Sequence, residues 1–255
     1  MKVAVLSSGS KGNCTLVVSE KSKILIDAGV TKTYIENKLS ELAVDPAEIK
    51  AIFISHTHVD HIQGLRVFIK KYNPVIFATE KLLPELQEAI GDFEFCLYDD
   101  GVAIVDDIKV EIIKTSHDSG ESVGFIISDG TSSMVHITDT GYINNKYFNK
   151  LSNHNLYVFE SNHDIEMLMT GEYPYYLKRR ILGNKGHLSN DDAAFYLSEL
   201  VGSKTKTIVL AHLSDDNNTY EKAISSVVNT LNSKHKKVNK IIVAKQKERT
   251  DFIKL

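Results

Sequence analysis

Apolar residues along this chain follow two rhythms. Short runs rich in Val, Ile and Leu fall at 2–6, 14–19, 23–26, 51–54, 75–78 and 94–97, each bounded by polar or turn-forming residues. Runs of this kind read as strands. Others follow at 101–105, 108–114, 156–160, 207–210 and 240–244, and 123–128 and 132–137 form a hairpin about Asp129-Gly130. Elsewhere apolar residues recur at three- and four-residue spacing. Ile35, Leu39 and Leu42 place a helix after Thr31, and Ile62, Leu65, Phe68 and Ile69 place one over 62–72. Helices are also predicted from Thr79 to about 90 despite Pro84, and over 144–150, 164–170, 174–182, 190–201 and 217–231.

The strands come in runs and do not alternate regularly with helices. Two similar halves emerge, each strand-rich and then helical. This predicts an α/β (α+β) chain whose two packed sheets are covered by helices, a four-layer αββα sandwich rather than a doubly wound parallel sheet. No linker or low-complexity segment interrupts it, so 1–255 reads as a single domain made of two halves. A site between the halves would gather residues from strand ends remote in sequence.

Composition narrows the class. Lys and Arg total 30 against 33 Asp and Glu, a formal net charge of −3. That argues against a strongly basic nucleic-acid coat protein and leaves room for an enzyme with a local basic surface. The two cysteines, Cys14 and Cys96, make no framework and no CxxC, and Cys14 reads as a small buried hydrophobe. The opening MKVAVLSSGS is too short in apolar residues for a signal peptide, and no stretch reaches the length of a membrane span. The expectation is a soluble, cytoplasmic protein with no membrane partner.

The chemistry collects at strand ends. The strand at 51–54 runs directly into His56, His58, Asp60 and His61. Packing these without a metal would leave several imidazoles and a carboxylate without partners, which is costly in a buried site. Other apolar strands end in Asp27, in His117-Asp118, in Asp139 and in His212. Each alone has a bland account as a turn former or surface residue; all together do not. One catalytic zinc needs about three protein ligands, and this set exceeds that with both nitrogen and oxygen donors. The surplus predicts two divalent ions roughly 3.5–4 Å apart, bridged by a carboxylate and a hydroxide. Zinc, manganese and iron all suit such a mixed set. The loop SSGSKGN at 7–13 lacks the P-loop spacing and reads equally as a tight turn or as amides facing an anion.

His56-x-His58-x-Asp60-His61, followed in order by His117, Asp139 and His212, resembles the motif set of the metallo-β-lactamase fold hydrolases. The resemblance spans essentially the whole chain. It implies that His56, His58 and His117 hold one metal and Asp60, His61 and His212 the other. Asp139 would bridge, and Asp27 would orient ligands by hydrogen bonds. A carboxylate bridge points away from lactam hydrolysis and towards phosphodiesterases and thioesterases. SSGSKGN, HDSGESVGF, Glu160-Ser-Asn-His-Asp164 and Gly186-His187-Leu188-Ser189-Asn190 resemble the YycJ/WalJ-like subfamily, itself similar to ribonuclease Z.

By that resemblance His187 faces the scissile phosphate, donating a proton to the leaving oxygen or stabilising phosphorane charge. Asp60 and His187 are thus the expected catalytic residues, Asp60 also as a ligand. His136 stands where ribonuclease Z carries the carboxylate that pairs with its catalytic histidine. His163 is placed either in the cleft or in a structural role. The long arm with which ribonuclease Z grips tRNA has no counterpart here. Lys178, Arg179, Arg180 and Lys185 precede His187, and a second basic run lies at 234–249; both read first as solvated faces, the former also as a grip on a nucleic-acid backbone. Tyr173, Tyr175 and Tyr176 are expected to pack helix against sheet in preference to stacking on bases.

The expected function is a two-metal phosphodiesterase, specifically a 5′-to-3′ DNA exonuclease with a metal-bridging hydroxide as nucleophile. Its substrate partner would be nucleic acid, DNA in preference to RNA. The alternatives are a hydrolase of a small thioester, lactone or cyclic phosphodiester, or ribonuclease Z-like RNA processing. Oligomeric state is left open, with a homodimer as the named candidate.

Overall fold

The computed structural model describes residues 1–98 and 100–255. The first part of the chain forms β1 (Lys2–Ser7), β2 (Cys14–Val18), β3 (Lys23–Ile26), α1 (Lys32–Ser40), β4 (Ile49–Phe53), α2 (Val59–Ile62), α3 (Leu65–Tyr72), β5 (Val75–Phe77), α4 (Leu83–Ile90) and β6 (Phe95–Cys96). The second forms β7 (Val102–Val105), β8 (Ile108–Lys114), β9 (Val123–Ser128), β10 (Ser133–Ile137), α5 (Phe148–Leu151), β11 (Leu156–Glu160), α6 (Ile165–Thr170), α7 (Tyr175–Ile181), α8 (Asn190–Leu200), β12 (Thr207–Ala211), α9 (Tyr220–Ser233), β13 (Lys240–Val243) and β14 (Ile253–Lys254).

Among the described residues the strands make two seven-stranded sheets, in the orders β14-β1-β2-β3-β4-β5-β6 and β13-β12-β11-β10-β9-β8-β7. Each sheet is built alike. Antiparallel hairpins (β1-β2-β3; β7-β8-β9-β10) lead into parallel strands (β3-β4-β5-β6; β10-β11-β12-β13). Strands β1–β6 lie in one sheet and β7–β13 in the other. One strand crosses the division: β14, which the sequence pattern did not predict, pairs antiparallel with β1 through Lys2↔Lys254 and Val3↔Ile253. A two-residue strand carries no periodicity to read; only its partner defines it.

The strands are apolar on both faces because both faces are buried. Along β3, Ile24 and Ile26 face the layer between the sheets while Leu25 faces the helices. Along β11, Leu156 and Val158 point into the intersheet layer and Tyr157 and Phe159 into the outer core beneath α8 and α9. Three hydrophobic layers result, which is the four-layer αββα arrangement. Cys14 is buried, as expected, and burial pushes its thiol well above the usual range. No helix among the described residues is long and apolar enough to cross a membrane.

The helix expected over 62–72 starts earlier and is broken. It begins as α2 at Val59 and restarts as α3 at Leu65. Gly64 sits at the break because its N–H bonds the Ala28 carbonyl at 2.8 Å and a Cβ would meet the Val30 carbonyl oxygen at 2.0 Å. The segment after β3 thus lies directly against the histidine turn. Gly29 makes the same point: a Cβ there would sit 1.6 Å from the Asp60 carbonyl oxygen. Any side chain at Gly29 displaces the turn that carries Asp60 and His61.

Candidate metal centre

β3 runs parallel to β4, and β10, β11 and β12 run parallel to one another. β8 shares the direction of β10, since both are antiparallel to β9. The carboxyl ends of these strands open on one crevice, the usual place for a site in such sheets. Asp27 follows β3, the histidine turn follows β4, His117 follows β8, Asp139 follows β10 and His212 follows β12. Asp27, Asp139 and His212 all adopt left-handed backbone, with φ of 58°, 54° and 56°. That conformation is uncommon outside glycine and recurs at functional sites. It turns each side chain off the strand direction.

The donor atoms converge in two groups. His56 Nε2 and His117 Nε2 lie 3.1 and 3.3 Å from His58 Nδ1. Two nitrogens each bound at about 2.0–2.1 Å to one tetrahedral ion lie roughly 3.3–3.4 Å apart. The match matters because one His58 Nδ1 cannot form hydrogen bonds to both neighbours with a single proton. In the second group Asp60 Oδ2 lies 3.5 Å from His61 Nε2 and 3.8 Å from His212 Nε2. Asp139 stands between the groups, with Oδ2 3.2 Å from His61 Nε2 and Oδ1 3.8 Å from His117 Nε2. Asp139 Oδ2 and His212 Nε2 are buried and make no hydrogen bond among the described residues. Buried polar atoms are rarely left so, and these two point at the same space. The residues present therefore fit divalent ions.

The tautomers fit as well. His61 Nδ1 lies 2.7 Å from Asp27 Oδ2, His117 Nδ1 3.2 Å from the Gly186 carbonyl, and His212 Nδ1 3.0 Å from Glu160 Oε1. Carboxylate and carbonyl oxygens only accept, so each Nδ1 must donate. Ser55 Oγ donates to Asp27 Oδ2 at 2.7 Å and so receives the His56 Nδ1 proton at 3.1 Å. In all four rings the Nε2 lone pair is left facing the centre, the arrangement by which neighbouring acceptors orient metal-binding histidines.

Charge in the metal-free cluster follows from burial and neighbours. Burial opposes protonation of His61, yet Asp139 and Asp27 outweigh it and raise its pKa well above the ordinary value. Burial likewise opposes charge on His212, but Asp139, Asp60 and Glu160 push it up to about 10. Burial lowers His56 and His117. Burial alone would raise Asp139, but the His212 and His61 charges hold it well below the usual carboxylate range. Below pH 10 His212 thus carries a proton that a metal bound at its Nε2 would have to expel. Loading the metal-free protein at pH 8 is expected to release protons, His212 supplying one of them. Calorimetry in buffers of different ionisation enthalpy reads this directly; a heat independent of buffer would refute it.

His187, at the entrance to α8, lies beside the centre with its ring 5.0 Å from that of His117 and 5.2 Å from that of His212. Its Nδ1 donates to Glu160 Oε1 at 2.8 Å. The same oxygen takes His212, while Glu160 Oε2 accepts the Thr140 and Leu188 amides at 3.0 and 3.1 Å. Glu160 is fully buried, and although burial opposes its ionisation, His187 and His212 keep its carboxyl below the ordinary range.

Glu160 corrects the expectation for His136. His136 points into the intersheet layer, its Nε2 3.2 Å from Thr15 Oγ1, and burial lowers it to about 4. It is a neutral core imidazole and does not touch His187. The carboxylate beside His187 comes instead from the neighbouring strand β11. Glu160 ends an apolar strand just as Asp27 does, so the strand-end signal was present in the sequence. His163 is 1% exposed, too buried to line an open cleft, and its carbonyl accepts the Asn190 amide at 2.8 Å.

Asn13 was also missed. Its Nδ2 reaches Asp60 Oδ2 at 3.2 Å and lies 3.0 Å from His61 Nε2, while its Oδ1 accepts the Gly9 amide at 2.9 Å. The 7–13 loop is therefore a tight turn that braces Asp60 and His61. The tyrosines depart from expectation too. Tyr173 borders the cleft and donates to Asp216 at 2.8 Å, but Tyr175 and Tyr176 are exposed and pack against no sheet.

Residues 8–212 match the family described as Metallo-beta-lactamase superfamily. The chain is 38% identical over 235 residues to a protein of Bacillus anthracis named Exodeoxyribonuclease YycJ, across 91% of this chain and 89% of that one. It is 35% identical over 236 residues to Exodeoxyribonuclease WalJ of Streptococcus pneumoniae serotype 2, across 90% and 88%. Among solved structures, the metallo-beta-lactamase fold protein YhfI of Bacillus subtilis superposes with a TM-score of 0.75 at 15% identity, over 98% of this chain and 99% of that one. That last likeness speaks to fold alone. With its clustered histidines and carboxylates, the chain is a metal-dependent hydrolase and belongs to the metallo-β-lactamase superfamily as a YycJ/WalJ-like member.

Proposed function

We propose that the chain is a two-metal exodeoxyribonuclease that degrades DNA from the 5′ end. The observation that carries this reading is the pair of donor groups sharing buried Asp139, with His187 held beside them by Glu160. The names of relatives that align over about nine-tenths of the chain support the substrate. The 5′ polarity rests on the resemblance of the sequence motifs.

His56, His58 and His117 would hold one ion, Asp60, His61 and His212 the other, and Asp139 would touch both. When bound there, divalent ions supply Lewis acidity and lower the pKa of water. The remaining work falls to side chains. Asp60 is only partly buried, so its carboxylate can accept a hydrogen bond from water entering the cleft and orient it. His187, with Nδ1–H on Glu160, presents Nε2 to the cleft. In its protonated form Nε2–H delivers a proton to the departing oxygen, while the Glu160 carboxylate steadies the imidazolium.

Digestion of end-labelled single- and double-stranded DNA and RNA with added Mn²⁺ or Zn²⁺ tests the proposal. The expected result is progressive loss of nucleotides from the 5′ end of DNA. Cleavage of a thioester or lactone with DNA left intact would replace this reading by the small-ester one.

A further inference from the structure

Resting on that reading, we propose that α7 is the platform for a single DNA strand entering the cleft. Its bases stack on Tyr175 and Tyr176, and its phosphates are held by Arg179 and Arg180.

α7 is an outlier within the fold. It contains Tyr175, Tyr176, Leu177 and Ile181, yet none of its residues is buried. Tyr175 is 68% and Tyr176 75% exposed. Exposed rings grouped on one short helix mark contact with something outside the chain. A helix of this length gains little by itself and is kept in place locally. Lys178 does this, its Nζ donating to the Met169 and Gly171 carbonyls at 2.8 and 2.7 Å.

Charge identifies the partner. The whole chain is at −3, but residues 178–180 are three consecutive cations. Helical spacing places Tyr175 one turn before Arg179 and Tyr176 one turn before Arg180. Two parallel rows result, each with a ring and a guanidinium. Interleaved aromatics and cations suit single-stranded nucleic acid, whose unpaired bases offer free faces and whose backbone is anionic. A duplex keeps its bases stacked on each other. A second copy of this chain would bring one cationic helix against another.

Position ties the helix to the chemistry. Tyr173, Leu177, Arg180 and Ile181 line the same cleft as His117 and His187. The Arg180 guanidinium pairs with Asp118, the residue next to His117. A strand with one phosphate at the centre therefore runs on across α7.

The test uses the metal-loaded enzyme and a short labelled oligothymidylate. Tyr175→Ala and Tyr176→Ala are each expected to raise KM about 5- to 150-fold, the range for loss of one stacked base, with kcat within about twofold. Phe at either position should restore the wild-type value, since stacking needs only the ring. On an oligonucleotide whose bases are removed near the cleaved end, wild type and Ala variants should converge. Arg179→Gln should flatten the salt dependence of log(kcat/KM) by about 0.7. Unchanged KM in the Ala variants of an enzyme that does cut DNA would overturn the platform and leave the nuclease reading standing. So would a change from dimer to monomer on Tyr176→Ala in sedimentation, which would give the surface to a second copy. A wild-type enzyme that neither binds nor cuts DNA would overturn both.

Discussion

Asp139→Ala is expected to abolish retention of both metal ions and to reduce hydrolysis by about 10³-fold or more. Among the described residues Asp139 is the carboxylate placed between the two donor groups, and it is almost completely buried. Without it each group keeps three donors but loses the shared anion that, in the proposed two-metal centre, would hold two cations together. Lewis-acid stabilisation is worth several kcal/mol, which converts to about three orders of magnitude in rate. In the metal-free state the same carboxylate balances the charges on His61 and His212. Removing it weakens the hold of both imidazoles on their protons, although Asp27, Asp60 and Glu160 remain, so stronger proton competition would not explain a loss of metal. Elemental analysis against activity checks the prediction, and Asp139→Asn, which keeps the shape, serves as the folded comparison. Full activity in a metal-free Asp139→Ala protein would defeat the assignment of the centre.

His187→Ala is expected to keep its metal and lose about 10²- to 10⁴-fold in turnover on DNA, the usual worth of a positioned proton donor. The loss should be far smaller on bis-p-nitrophenyl phosphate, because p-nitrophenolate departs without a proton. An equal loss on both substrates would place His187 in binding or charge stabilisation instead. Glu160→Gln should differ in kind. Its amide oxygen would stay with the Thr140 and Leu188 N–H groups, turning the NH₂ towards His187 and His212. Both rings must then accept at Nδ1 and carry their proton on Nε2. For His212 that blocks the metal-facing lone pair, so metal affinity should fall about 10- to 100-fold alongside turnover. Metal titration separates the two variants: weakened binding belongs to Glu160→Gln alone.

Much of this was legible in the chain. The strands were legible because burial on both faces makes them apolar runs with sharp polar ends. Most of the residues that gather in the crevice were legible for the same reason. His56, His58, Asp60, His61, Asp139 and His212 stand at or just past the ends of such runs, and parallel strands bring those ends to one edge. Gly29 and Gly64 could be seen as glycines but not as the contact between two segments, since the closeness of Asp60 and Val30 is not a local property.

What only the tertiary structure decided is which side chain meets which. His136 and Glu160 lie on adjacent parallel strands, with His136 opposite Val158. The pleat sends His136 into the intersheet layer, and Glu160, one residue beyond Phe159, reaches His187 and His212. Asn13 is tied to Asp60 across a sheet order that joins positions 47 apart in the chain. Tyr175 and Tyr176 carry the same apolar signal as core aromatics, and only the path of α7 along the outside of the cleft leaves them uncovered. The sequence by itself determined the strands and the histidines and carboxylates that stand at their ends, because both are written in local runs. Partner choice within the site and the exposure of α7 depended on pleat, strand order and packing, which exist only once distant segments are brought together.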